Sequence, residues 1–265
     1  MSAMQMQMLS RGYLVYDMES SGSLLGLVNV GASIPMLVLP LFGGVLADRI
    51  NRKRIIQAGQ IAAALIAFSV FVLIRTERIE WFHLLVSSIM QGTMFALMMP
   101  ARQALIPQLV GKGLLSNALA LNTAAMSATT LAAPSVAGVL YGYFGPSNVY
   151  LLIGILSLGS CIATLFIRHN GDIEPDSKSH NVEGKGAINN LLSDISEGLK
   201  YVKSQRLIMV LLIMALATTV LAQPFRFLMP IFVVDVYNLG PESMGLLMSV
   251  MGLGALAGSI YIAAH

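Results

Sequence analysis

The sequence predicts an all-α protein embedded in a bilayer, and three observations carry that expectation. Of 265 residues, 56% are hydrophobic and 11% charged, whereas soluble domains carry about 25% charged residues. Seven apolar stretches, 24–46, 55–74, 81–99, 118–140, 149–167, 207–234 and 244–264, meet the length of about 17 to 25 residues that a spanning helix needs, the sixth being longer. The cations are grouped in alternate loops rather than spread along the chain, as the positive-inside rule requires.

The first eighteen residues have neither a cationic start nor a clean apolar core, so they make a poor signal peptide and read as the outer part of a first span whose beginning is missing. Between the spans starting at Leu24 and Ile55 lies the densest charge in the chain, Gly44-Val45-Leu46-Ala47-Asp48-Arg49-Ile50-Asn51-Arg52-Lys53-Arg54. A spanning helix satisfies its backbone internally, so such a turn belongs at a membrane face. With this loop in the cytoplasm, twelve of the sixteen cations fall on that side and only Arg75 and Arg78 on the other. Arg11 and Arg226 complete the count and lie in or near spans.

The hairpin resembles the G-x-L-A-D-R-x-G-R-R/K signature between the second and third helices of the major facilitator superfamily, with Asn51 in place of a glycine. Asparagine tolerates the left-handed backbone of a tight turn. The resemblance implies a major facilitator fold: an N-terminal six-helix half plus the first two helices of the C-terminal half. It also implies a gating role for Gly44, Asp48, Arg49, Arg52 and Lys53, in which Asp48 accepts hydrogen bonds from Arg49 or Arg52 and faces a helix N-terminus. A loop that served topology alone would need its cations but not its aspartate.

The polar stretch 168–206 divides the chain. Its first part, 171–186, is rich in Gly, Ser, Asp and Lys and reads as a flexible linker. Ile188, Leu191, Leu192, Ile195, Leu199 and Val202 then recur at helical spacing, the pattern of an amphipathic helix on the cytoplasmic face. The expected organisation is therefore a six-helix half over 1–167, a linker over 168–206, and the start of a second half over 207–265. A weak repeat agrees: Tyr16-Asp17 and Gly26-Leu27 are echoed by Val234-Asp235 and Gly245-Leu246 at offsets of 218 and 219, as in parallel halves. A second charged hairpin would fall beyond His265, so the chain is expected to be a fragment whose remaining helices are its partners.

Pro100-Ala101-Arg102-Gln103-Ala104-Leu105-Ile106-Pro107, followed by Ser116-Asn117-Ala118-Leu119, resembles the connection between the fourth and fifth helices of exporters related to the enterobactin exporter and the macrolide efflux proteins. The two prolines are expected to bound a short turn, with Arg102 at the headgroups, where a lipid anchor is the plainer reading. Gln91-Gly92 matches the end of a superfamily pattern that places an arginine at the position held here by Ser88. Ala133-Pro134-Ser135-Val136-Ala137-Gly138 resembles the antiporter pattern on the fifth helix, and plain helix packing explains Pro134 and Gly138 equally well.

An ionisable group inside a span is a functional candidate by default. By resemblance the first, fourth and seventh helices line the central cavity, so Arg11, Gln91, Thr93, Gln223 and Arg226 are the candidate solute contacts, with snorkelling the alternative for Arg226. His83, His169, His180 and His265 have no metal-ligand spacing, and no phosphate-cradling loop is present. The expected protein is therefore no enzyme and takes no cofactor, metal or nucleic acid. It is a multi-pass exporter of the bacterial cytoplasmic membrane, moving a small amphipathic solute, siderophore-like or drug-like, on an ion gradient, with protons the expected ion. A non-transporting sensor or scaffold of the same fold is the alternative.

Overall fold

A computed structural model describes residues 1–47, 51–110, 112–166 and 205–264. Among them every regular element is helical. The helices α1 (Ser2–Glu19), α2 (Gly22–Ala47), α3 (Arg52–Arg75) and α4 (Trp81–Leu109) are followed by a 3-10 turn (Lys112–Leu114) and a 51-residue run, Leu115–Leu165. That run is two helices merged at Gly145, where φ 78 and ψ 169 break the helical path. Only glycine enters this backbone region without strain. We label the arms α5 (115–144) and α6 (146–165). Then come α7 (Arg206–Ile231), a π-turn (Phe232–Val236) and α8 (Pro241–Ala264).

Four described helical stretches are long and apolar enough to cross a bilayer, and the last of them, Leu115–Leu165, is the α5–α6 pair. Their outward side chains are lipid-type: Leu37, Leu65, Leu121 and Ile162 are all exposed, as expected where the solvent is hydrocarbon. Turn chemistry separates the passes. Ser20 adopts the left-handed conformation and its N–H closes α1 on the Tyr16 carbonyl, while the Asn51 side chain caps α3 by accepting from the Lys53 N–H at 3.0 Å.

α1 departs from the hydropathy pattern. It carries Gln5, Gln7, Ser10 and Arg11, yet Leu9, Ser10 and Val15 are wholly buried. Its surroundings are other helices, so its sequence need not match lipid. The connection expected around Arg102 and Pro107 is corrected: α4 continues through Pro100 and Pro107 to Leu109. Ala101 and Leu105 pack on Ile56 of α3, and Arg52 donates to the Ala104 carbonyl at 3.3 Å. This packing holds the helix together beyond prolines that would otherwise end it.

The chain divides into two compact units, Met1–Asn170 with Phe227–His265, and Gly171–Arg226. In the first, one core runs through Leu9, Val15, Leu25, Val70, Leu84, Tyr150 and Val233. Of the second, the described part is residues 205–226, which is α7 up to Arg226 and the residue before it.

Candidate functional site

Within the first unit an open cavity of about 530 Å³ is lined by α1, α3, α4, α5 and α6. Its apolar wall comes mainly from α4, where Met94, Phe95, Met98 and Met99 follow the helical repeat, with Ile56 and Ala63 from α3 and Leu156 from α6. Methionines adapt their shape to irregular solutes. Several of its polar groups are mutually anchored: Gln60 donates to Ser160 at 2.7 Å and accepts from Thr164 at 3.1 Å, and Arg102 donates to Asn122 at 3.4 Å. Arg102, expected at the headgroups, thus lines the cavity from inside α4.

At the cavity's edge, Gln7 and Gln91 begin a polar chain that leads into the protein. Arg11 Nη1 donates to Gln91 Oε1 at 2.7 Å, and Gln91 Nε2 donates to Gln7 Oε1 at 2.6 Å. Gln7 and Arg11 are each only 3% exposed. They stand four residues apart on one face of α1, which is why both reach Gln91 on α4. Among the described residues no carboxylate pairs with Arg11, and the titratable group facing it is Tyr150 of α6. Burying a charge without a partner is costly, so packing alone does not account for it.

The expected candidates fare unequally. Arg11 and Gln91 are brought together. Thr93 is not, because its hydroxyl donates to the Ile89 carbonyl of its own helix at 2.9 Å and it does not line the cavity. Gln223 and Arg226 lie on α7, with side chains outside the described residues. Asp48 and Arg49 also fall outside, as does the surrounding of Gly44. Of the same hairpin, Arg52 reaches the Ala104 carbonyl, and Lys53 donates to the Leu165 carbonyl at 3.1 Å. Pro134 and Gly138 form the contact with α8: a Cβ on Gly138 would stand 2.9 Å from Gly245 Cα. Gln7, Gln60, Ser160 and Tyr150 were missed. Gln7 carried a sequence signal in its spacing from Arg11, and Gln60 in being an amide inside the span 55–74.

The Major Facilitator Superfamily profile matches residues 1–264. The chain belongs to that superfamily. Among its relatives, the uncharacterized MFS-type transporter YfiS of Bacillus subtilis (strain 168) is 24% identical over 242 residues, covering 91% of this chain and 55% of that protein. A multi-drug resistance efflux pump PmrA homolog of Lactococcus lactis subsp. lactis (strain IL1403) is 27% identical over 233 residues, covering 85% and 52%. The chain therefore spans about half the length of the curated relatives it matches.

The superfamily is one of membrane transporters, in keeping with the four described helical stretches long and apolar enough to cross a bilayer. The chain's departure at Ser88 has a local cause. Ser88 is wholly buried where α2 and α4 meet, its hydroxyl donating to the Val28 carbonyl of α2 at 2.7 Å. At Gly31 of α2 a Cβ would stand 2.6 Å from that same oxygen. No arginine fits so close an approach, and the cation beside Gln91 comes instead from α1.

Proposed function

We propose that the protein is part of a secondary active transporter that exports a small amphipathic solute across the bacterial cytoplasmic membrane by alternating access. The observation that carries this reading is the methionine-rich cavity of about 530 Å³ with its anchored polar groups, the composition of a site that takes a bulky, amphipathic solute. The resemblance around Arg102 supports the enterobactin-exporter and macrolide-efflux branch. In this reading residues 1–167 act as one half, 168–206 as a cytoplasmic linker and 207–265 as the start of the other, with protons as the coupling ion. The Asp48 hairpin stabilises one of the two states, and Gln223 and Arg226 add solute contacts on α7.

Multidrug efflux is a second reading, favoured by the similarity to the Lactococcus multi-drug resistance efflux pump homolog. Solute retention in energised cells with and without the protein decides whether transport occurs. Faster efflux with the protein, abolished by a protonophore, is expected. Efflux equal to that of empty cells would leave a sensor or scaffold, and efflux indifferent to the protonophore would remove the proton coupling.

A further inference from the structure

The chain Arg11, Gln91 and Gln7 contains more donors than acceptors. Both amide oxygens are used, by Arg11 Nη1 and Gln91 Nε2. Arg11 Nε, Gln7 Nε2 and the Tyr150 hydroxyl are buried with no hydrogen-bond partner. The first two can only donate. Among the described residues the cluster therefore carries a positive charge without a counter-ion and more donors than acceptors, in a setting where both are costly. Water would supply as many donors as acceptors and no charge. A carboxylate supplies acceptors only, together with the charge that Arg11 lacks.

We propose that this cluster is an anion subsite at the edge of the cavity, and that the solute is an amphipathic carboxylate whose apolar body lies along Met94, Phe95 and Met98. This deepens the transport reading and rests on it. Gln7 and Gln91 line the cavity, whereas Arg11 lies behind them. Recognition thus runs through the hydrogen-bond chain: Arg11 polarises Gln91, Gln91 polarises Gln7, and the Gln7 Nε2 donor is strengthened for an anion. The charge itself acts through the low-dielectric wall with little screening. The same arrangement disfavours a cationic amphiphile of equal size, since among the described residues lining the cavity the one ionisable side chain is Arg102, another cation.

The test uses two probes of matched size and opposite charge, 2-naphthoate and 2-naphthylmethylammonium, titrated calorimetrically into the detergent-purified full-length protein. Naphthoate is expected to bind at least about tenfold more tightly than the ammonium. Arg11→Met and Gln7→Leu are expected to abolish that preference. Gln91→Glu is the decisive variant, because it keeps Arg11 and gives it an internal carboxylate. Naphthoate binding should then fall about tenfold while the protein's melting temperature holds or rises. If Arg11→Met fails to fold, Gln91→Glu still decides. Equal affinities for the two probes, or naphthoate affinity unchanged in Gln91→Glu, would overturn the subsite. So would failure of naphthoate to bind at all, the result expected if a carboxylate elsewhere in the protein already neutralises Arg11. Movement of naphthoate in proteoliposomes is read separately: a probe that is bound in an Arg11-dependent way but not moved counts against transport and leaves the subsite standing.

Discussion

Tyr16 is 4% exposed near the end of α1, and its phenol donates to the Asp235 carboxylate in the π-turn after α7. The two positions are 219 residues apart, and Asp235 is the repeat counterpart of Asp17, the residue that follows Tyr16. From sequence Asp235 reads as a solvated acid at a helix end; its partner shows that it also ties α1 to the π-turn. A hydrogen bond to a charged acceptor is worth about 1.5 to 3 kcal/mol, and Asp235 itself is exposed, which places the expected effect at the low end. Tyr16→Phe should therefore lower stability by about 1.5 kcal/mol. Asp235→Asn, which keeps an acceptor, should cost less. Denaturant titration in detergent measures both, and a Tyr16→Phe variant as stable as the parent would remove the tie.

Between elements, close approach depends on glycines at a few places. A Cβ on Gly92 of α4 would fall 2.2 Å from the Ala32 carbonyl oxygen of α2, whereas a Cβ on Gly26 would meet nothing within 4 Å. Gly92→Val should force α2 and α4 apart and cost about 1 to 3 kcal/mol or more, the usual penalty for overpacking. Gly26→Ala should be neutral or stabilise by about 0.4 to 1 kcal/mol through the unfolded state. Comparing folded yield and melting temperature of the two variants checks the packing. Loss from Gly26→Ala alone would contradict the helix register. The α5–α8 contact works in the same way, with Ser249 of α8 hydrogen-bonded to Ser135 and, at 2.7 Å, to the Leu131 carbonyl of α5. Small residues that let backbones meet are the usual means of helix association in lipid, where apolar burial gives no net drive.

For the whole molecule the cation distribution makes a topological prediction. A cysteine at position 177, in the linker outside the described residues, should resist a membrane-impermeant thiol reagent in intact cells and react after permeabilisation. Rapid labelling from outside would invert the topology. The gating proposal makes a second prediction at this scale. Asp48→Asn keeps every cation of the hairpin, so insertion should be unchanged while transport falls by about tenfold, the equivalent of about 1.4 kcal/mol in the balance of the two states. Efflux at the parental rate, at equal protein abundance, would reduce the hairpin to a topology signal.

By itself the sequence determined the solvent, the family and most helix positions. Hydropathy and span length report on lipid locally, residue by residue, and the Asp48 hairpin is a contiguous motif. It also singled out Arg11 and Gln91, because polar groups in spans are rare. Only the tertiary structure decided what those residues touch. Arg11 meets Gln91 across 80 residues and Gln91 meets Gln7 across 84, and no periodicity within a helix encodes which faces of two helices will meet. The same holds for α1, whose polar residues Gln7, Ser10 and Arg11 are buried against other helices and not against lipid. Pro100 and Pro107 likewise signal a helix end in isolation, and it is packing against α3 that carries α4 past them.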